Sequence, residues 1–239
     1  MKLIDSPDQM TIKIAETEAF LGDCWAKFAQ SPSSLKMRQV SCDVDNELRD
    51  RLSKQQLNIL TTISAGKRRV EWAEGRRCML DVVTSLNEQA NEVGDPIKKS
   101  LVHTSISHTQ AHAISIGLMG SCYSGVGVDL ESASRKVSSK VIDRVTVENE
   151  RAFPLSALDI WVIKESCFKA DHGISSLSLL DYRLVDVEKS TGETVTGRCV
   201  IEGRAGNGNS SAKKNEARWL LVKHSNWIVA FAICNLEVS

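Results

Sequence analysis

Val126-Gly127-Val128-Asp129-Leu130-Glu131 is the stretch on which the reading of this chain turns. Val126, Val128 and Leu130 alternate with Gly127, Asp129 and Glu131, the period of a strand with one buried face. One face is apolar and meets a core. The other carries two carboxylates two residues apart, roughly 6–7 Å along the backbone. Such a pair either decorates a solvated strand or converges on one hard cation, and this segment alone leaves both readings open. Magnesium takes carboxylate oxygens and substrate phosphates and retains water.

Working outward, residues 101–108 read as a strand that ends in Ser105-Ile106-Ser107-His108-Thr109. Residues 111–118 are apolar and continue the sheet after a turn. Residues 117–127 are rich in Gly and Ser and are expected to connect two parts of the chain. Farther upstream, residues 45–91 read as helical, with Gly66 separating two stretches. In the second, residues 67–86, Val70, Ala73, Met79, Val82 and Val83 recur at helical spacing. Residues 91–96 read as a turn or loop.

Downstream, Pro154-Leu155-Ser156 precedes a helix. Ser156 is an N-cap candidate with Asp159 three residues on, and the helix is expected to end near Gly173. Residues 177–187 look extended, and residues 202–215 read as a loop rich in Gly, Asn, Ser and Lys. Residues 219–223 and 227–234 form a hairpin around His224-Ser225-Asn226. The fold class is α+β.

The helix after Ser156 carries Trp161-Val162-Ile163-Lys164-Glu165-Ser166-Cys167-Phe168-Lys169-Ala170. Glu165 and Lys169 are an i, i+4 pair, with Trp161 one turn before. Alone, such a pair is usually a surface ion pair worth about 0.3–0.5 kcal/mol. His108 alone is usually a structural histidine. His108 and His112 are four apart, as zinc ligands on one helix face would be, but the first of them reads as strand and no glutamate follows it. No Gly-rich phosphate loop is present, which disfavours nucleotide kinases and dinucleotide enzymes.

The bulk properties narrow the classes further. The 239 residues are 42% hydrophobic and 25% charged, an ordinary globular balance. Net charge is zero, which gives no global case for nucleic acid or an anionic membrane as partner. No run approaches the ~20 apolar residues of a spanning helix, and the first residues carry no apolar leader segment. The seven cysteines are scattered and form no C-x-x-C pair, which suits free thiols in a reducing compartment. A cytoplasmic protein is expected.

Taken together, Ser105-Ile106-Ser107-His108-Thr109, Gly127-Val128-Asp129-Leu130-Glu131 and the Trp161–Ala170 segment, in that order and spacing, resemble the signature of 4′-phosphopantetheinyl transferases. Lys67–Arg76 is similar to a looser basic helix of the same family. The length resembles the two-lobed, surfactin-synthetase-activating branch. That resemblance implies a pseudo-dimeric fold of two similar lobes, each a small antiparallel sheet packed on helices, with residues 1–120 and 121–239 as the lobes. It implies transfer of 4′-phosphopantetheine from coenzyme A to a serine of an apo acyl, polyketide or peptidyl carrier protein, by a monomer. Asp129, Glu131 and Glu165 would hold Mg²⁺, with Mn²⁺ also accepted. Glu165 would act as general base, with Lys169 on the leaving phosphate and Glu131 beside them. Ser107, His108, Arg76 and Arg69 would contact coenzyme A. Arg135, Lys136, Lys140 and Arg144 would offer a basic face to an acidic carrier. The chain departs from the family in having Gly94-Asp95-Pro96 where Gly-Lys-Pro is common, with Lys98 and Lys99 following, and Gln110-Ala111 where a glycine is common. The alternative is a transferase-like protein that binds coenzyme A or a carrier without turnover.

Overall fold

The decisive strand is longer than its alternating core. In the computed structural model β4 spans Tyr123–Ser132. The structure describes residues 7–40, 44–64, 66–93, 102–109, 112–171, 177–202 and 215–235. β4 is an edge of a five-stranded antiparallel sheet with β5 (Tyr182–Thr191), β6 (Thr194–Ile201), β7 (Asn215–His224) and β8 (Trp227–Asn235), in the order β4-β8-β7-β6-β5. β7 and β8 are the expected hairpin, and Ser225 turns it at φ 54°.

This sheet is covered on both faces, which explains why β8 is apolar almost throughout. Val126, Val128 and Leu130 face one core together with Phe231, Ile233, Leu220 and Val222. α1 (Pro7–Ala29) lays Leu21, Trp25 and Ala29 on the same core. Each Val, Leu, Ile or Phe side chain fully buried there stabilises by roughly 1.5–3 kcal/mol. The opposite face, with Trp219, Leu221, Ala230 and Ala232, packs on Val162, Ile163 and Cys167 of α6 (Ala157–Ala170).

A second, three-stranded sheet has the order β1-β3-β2, from β1 (Ser33–Gln39), β2 (Val102–His108) and β3 (His112–Met119). The long helix α4 (Lys67–Val93) lies on it, preceded by α2 (Asn46–Arg51) and α3 (Lys54–Thr62). Ile114, Ile116 and Leu118 of β3 join the same core as Val128 and Phe231, so one apolar interior spans both sheets. Trp25 Nε1 donates to Gly117 O at 3.2 Å, which ties α1 to β3.

The structure corrects several expectations. The connection expected within residues 117–127 joins the two sheets but is only Gly120–Cys122 long, because Gly117 lies in β3 and Gly127 in β4. Gly117 is small because α4 presses on it. A Cβ there would stand 2.5 Å from Val82 Cγ1. The stretch 45–62 is broken after α2, where Ser53 starts α3 with a capping box to Gln56. α4 runs through Asn91–Val93, expected to be loop. Before β5, Leu179–Asp181 is a 3₁₀ turn rather than extended. α6 begins as expected, with Ser156 and Asp159 forming a capping box, and ends at Ala170 with Asp171 as its C-cap. Gly173, Asp95, Lys98, Lys99, Gln110 and Ala111 lie outside the described residues, as does most of the 202–215 stretch.

Four of the six described thiols are buried (Cys78, Cys167, Cys199 and Cys234), and all six are free. Burial pushes Cys78 and Cys234 up to about 12, so both stay protonated. No described helix is long and apolar enough to cross a membrane.

Candidate active site

The two sheets meet where β2 crosses β4, and the Ser-x-Ser spacing makes the joint. Ser105 Oγ accepts from Val128 N–H at 3.1 Å, and Ser107 Oγ accepts from Leu130 N–H at 3.2 Å. Hydroxyls two residues apart on one strand match alternate N–H groups on the other. Ser107 also donates to Asp129 Oδ1 at 2.8 Å, and its side chain is buried. Ser107 therefore holds the strand that carries the carboxylates, a role beyond the ligand contact the sequence suggested.

α6 approaches β4 at Gly127. A Cβ there would fall 1.8 Å from Ser166 O and 2.7 Å from Ala170 N. These are backbone atoms, so the helix itself would have to move. Gly127→Ala is expected to cost about 3 kcal/mol or more, at the upper end of overpacking effects, and denaturant unfolding would measure it. The close approach brings Glu165 and Lys169 to Asp129. Lys169 Nζ donates to Asp129 Oδ1 at 2.8 Å and to Val128 O at 3.0 Å. Asp129 Oδ2 is buried and has no hydrogen-bond partner among the described residues. Burial, and then the charge of Asp129, raise the pKa of Glu165, while Lys169 and Arg135 oppose the rise.

Glu131 points to another cation. It pairs with Arg135, whose guanidinium also lies 5.3 Å over the Trp161 ring. Arg135 is thus engaged at the site, whereas Lys136, Lys140 and Arg144 stand exposed beside or on α5 (Ser139–Val145). Among the described residues, no three His, Cys, Asp or Glu side chains are gathered closely enough to hold a metal ion as they stand. The acids are instead met by Lys169 and Arg135.

His108, at the end of β2, has Nε2 3.9 Å from Glu71 Oε2. Burial lowers its pKa against the pull of Glu71, so the ring is neutral at pH 7. His108 and His112 stand on two strands of a hairpin, so the helical zinc geometry does not arise. Arg76 on α4 is half-buried, stacked 5.3 Å over Trp72, with Nη1 3.5 Å from Met79 Sδ. Burial lowers its pKa, and among the described residues no acid pulls it back up. Arg76 lines a cavity of about 390 Å³ with Thr104, Ser105, Phe168 and Lys169. Arg69 lies two turns earlier on the helix and is not among the residues lining this cavity.

A buried ion pair escaped the sequence reading. Lys164 Nζ and Glu150 Oε2 stand 2.7 Å apart, both side chains 0% exposed, in an ion pair whose approach is not that of a well-aligned hydrogen bond. Glu150 also accepts the N–H groups of Val147 and Leu184, each at 2.9 Å. Burial is the main force lowering the Lys164 pKa. The lysine beside Glu165 was visible as a residue, but nothing in the spacing marks a partner fourteen positions upstream.

Residues 125–232 match the family model of the 4′-phosphopantetheinyl transferase superfamily. The matched part is a little under half of the chain and contains Asp129, Glu131, Glu165 and Lys169. Ser107, His108, Arg69 and Arg76 precede it. No curated protein matches the chain in a sequence search.

Proposed function

We propose that the protein transfers the 4′-phosphopantetheine arm of coenzyme A to a serine hydroxyl of an apo acyl, polyketide or peptidyl carrier protein, releasing adenosine 3′,5′-bisphosphate. The observation that carries this reading is Arg76. A half-buried guanidinium with no acid beside it among the described residues is costly unless an anion arrives, and its planar fork suits phosphate oxygens. It shares a cavity with Lys169, which touches the carboxylate site.

In this reading, residues 1–120 and 121–239 form the two lobes and coenzyme A lies between them. Arg76 and, more remotely, Arg69 hold the adenosine phosphates, and His108 contacts the 3′-phosphate or the pyrophosphate. Ser107 fixes Asp129 and β4. The serine oxygen attacks the β-phosphorus, and Glu165 takes its proton. The bond from that phosphorus to the bridging oxygen of the adenosine phosphate breaks. Lys169 stabilises the charge that develops on the leaving phosphate.

The residues present fit a divalent cation. Asp129 Oδ2 is a buried oxygen without a partner among the described residues, and burial, then the charge of Asp129, raise the pKa of Glu165. Asp129 and Glu165, with Glu131, would hold Mg²⁺ or Mn²⁺, and one or two carboxylates suffice when phosphates and water complete the shell. Such an ion neutralises a pyrophosphate that the acids would otherwise repel. Incoming phosphate competes with Asp129 for Lys169, and this exchange frees the acid. The protein acts as a monomer in the cytoplasm.

Intact-mass measurement of a panel of apo carriers, incubated with the protein, coenzyme A and magnesium, tests the proposal. The expected result is a gain of one phosphopantetheine on at least one carrier, abolished by chelator. Tight coenzyme A binding with no gain would mean a binding protein, and neither binding nor gain would remove the reading. Arg76→Ala is expected to raise the KM for coenzyme A roughly 10–150-fold with little change in kcat, the loss of a charged hydrogen-bonding group. Steady-state kinetics would show it.

A further inference from the structure

His112 is left without a role by the site above. It opens β3, and its ring stands edge-on to Trp227 at the start of β8, centroids 4.5 Å apart and planes at 68°. Its backbone is satisfied, since Thr109 N–H donates to His112 O at 2.8 Å and His112 N–H donates to Thr109 Oγ1 at 3.2 Å. Its ring Nδ1 is not. That atom is buried and has no hydrogen-bond partner among the described residues. A buried polar nitrogen left unpaired calls for an explanation, and a ligand atom is one.

Two cavities meet at this pair. One, of about 870 Å³, contains His108, Glu131 and Arg135 and reaches His112, Asn226 and Trp227. The other, of about 650 Å³, starts from the same three residues and runs to Ile14, Thr17 and Met37. His112 and Trp227 are the wall between them.

The donor proposed above has two ends. Its bisphosphate end belongs with Arg76, in the cavity that reaches the carboxylates through Lys169. Its arm lies on the other side of the reacting phosphorus, and the larger cavity reaches the carboxylates from Glu131. The arm carries two amides, each with a donor and an acceptor, joined by short aliphatic stretches. A neutral imidazole nitrogen accepts or donates according to its tautomer, so it can match either side of an amide. Burial keeps the His112 pKa below its ordinary value, so the ring is neutral at pH 7. The indole ring offers apolar surface to the methylenes.

We propose that His112 and Trp227 form the binding wall for the pantetheine arm of the donor, with one arm amide hydrogen-bonded to His112 Nδ1. This rests on the donor reading above. These two residues are positioning groups, and they take no part in the chemistry.

The test titrates coenzyme A and adenosine 3′,5′-bisphosphate separately, by calorimetry with magnesium present, into the wild type and His112 variants. His112→Ala is expected to weaken coenzyme A about tenfold and leave the bisphosphate unchanged, which also shows that the variant is folded. Asn places an amide near the position of Nδ1 and is expected to restore affinity. Gln reaches toward Nε2 and is not. Should His112→Ala fail to fold, Trp227→Phe is expected to weaken coenzyme A alone. Equal wild-type affinity for the two ligands, or a His112→Ala loss shared by both, overturns this inference and leaves the donor reading intact. A wild type that binds neither ligand removes the donor reading itself, and this inference with it.

Discussion

Glu165→Gln is expected to lower carrier loading by about 10²–10⁴-fold, the usual contribution of a positioned proton acceptor, and also to raise the thermal midpoint at neutral pH. The second half follows from the electrostatics. Burial and Asp129 raise the Glu165 pKa in the folded chain. A carboxyl with a raised folded pKa favours folding below its unfolded pKa, near 4.5. That benefit is lost as pH rises through the folded pKa, because the charged form is disfavoured in the fold. An amide carries no such penalty. The midpoint difference between variant and wild type, measured with chelator present, is therefore expected to be positive at pH 7–8 and to vanish near pH 4. A variant that is inactive and less stable at both pH values would indicate that Glu165 merely supports the fold. Active sites often show this opposition between function and stability.

Lys164→Met should act on the fold directly. It leaves Glu150 buried without its counter-ion, and breaking one side of such a pair costs about 3–5 kcal/mol. Against a whole-domain stability of roughly 5–15 kcal/mol, that is a large share. Glu150 would still accept from Val147 and Leu184, so the compensating change is Glu150→Gln, which keeps an acceptor and removes the charge. Lys164→Met and Glu150→Gln together are expected to recover much of the loss. A double variant as unstable as the sum of the two single changes would mean that the residues contribute independently. Urea unfolding of the wild type, both single variants and the double variant gives the answer.

The legible part of this molecule was the part with a short period. β4 showed itself through Val126, Val128 and Leu130, the β7–β8 hairpin through its turn at residues 224–226, and α6 through Ser156 and Asp159. What escaped is long-range. β1, with the sequence Ser-Ser-Leu-Lys-Met-Arg-Gln, alternates weakly and is a strand because β3 pairs with it. Gly117 and Gly127 bound the stretch that reads as a connection because glycine signals freedom in a sequence, yet here each marks where a helix presses on a strand. In the candidate site, the types and order of Asp129, Glu131, Glu165 and Lys169 stood out, but not their pairing. That Glu131 turns to Arg135 and Asp129 to Lys169 depends on side-chain reach across β4 and α6, which spacing does not encode. Ser105 was visible only as a neighbour of His108, and its bond to Val128 N–H required the crossing of two sheets.

The pairing of β4 with β8 sets a clock during synthesis. Asp129 stands opposite Ala230, about a hundred residues later. At roughly 5–20 residues per second, β4 waits on the order of several seconds on the ribosome before its partner emerges. Throughout that interval Val126, Val128 and Leu130 lack Val229, Phe231 and Ile233, and the acidic strand lacks its ladder. Such late, non-local closure slows folding and leaves the nascent chain exposed to misassociation. The chemistry-bearing strand is thus among the last parts of the protein to become ordered, and a nascent chain arrested before β8 would hold its acids on an unpaired strand.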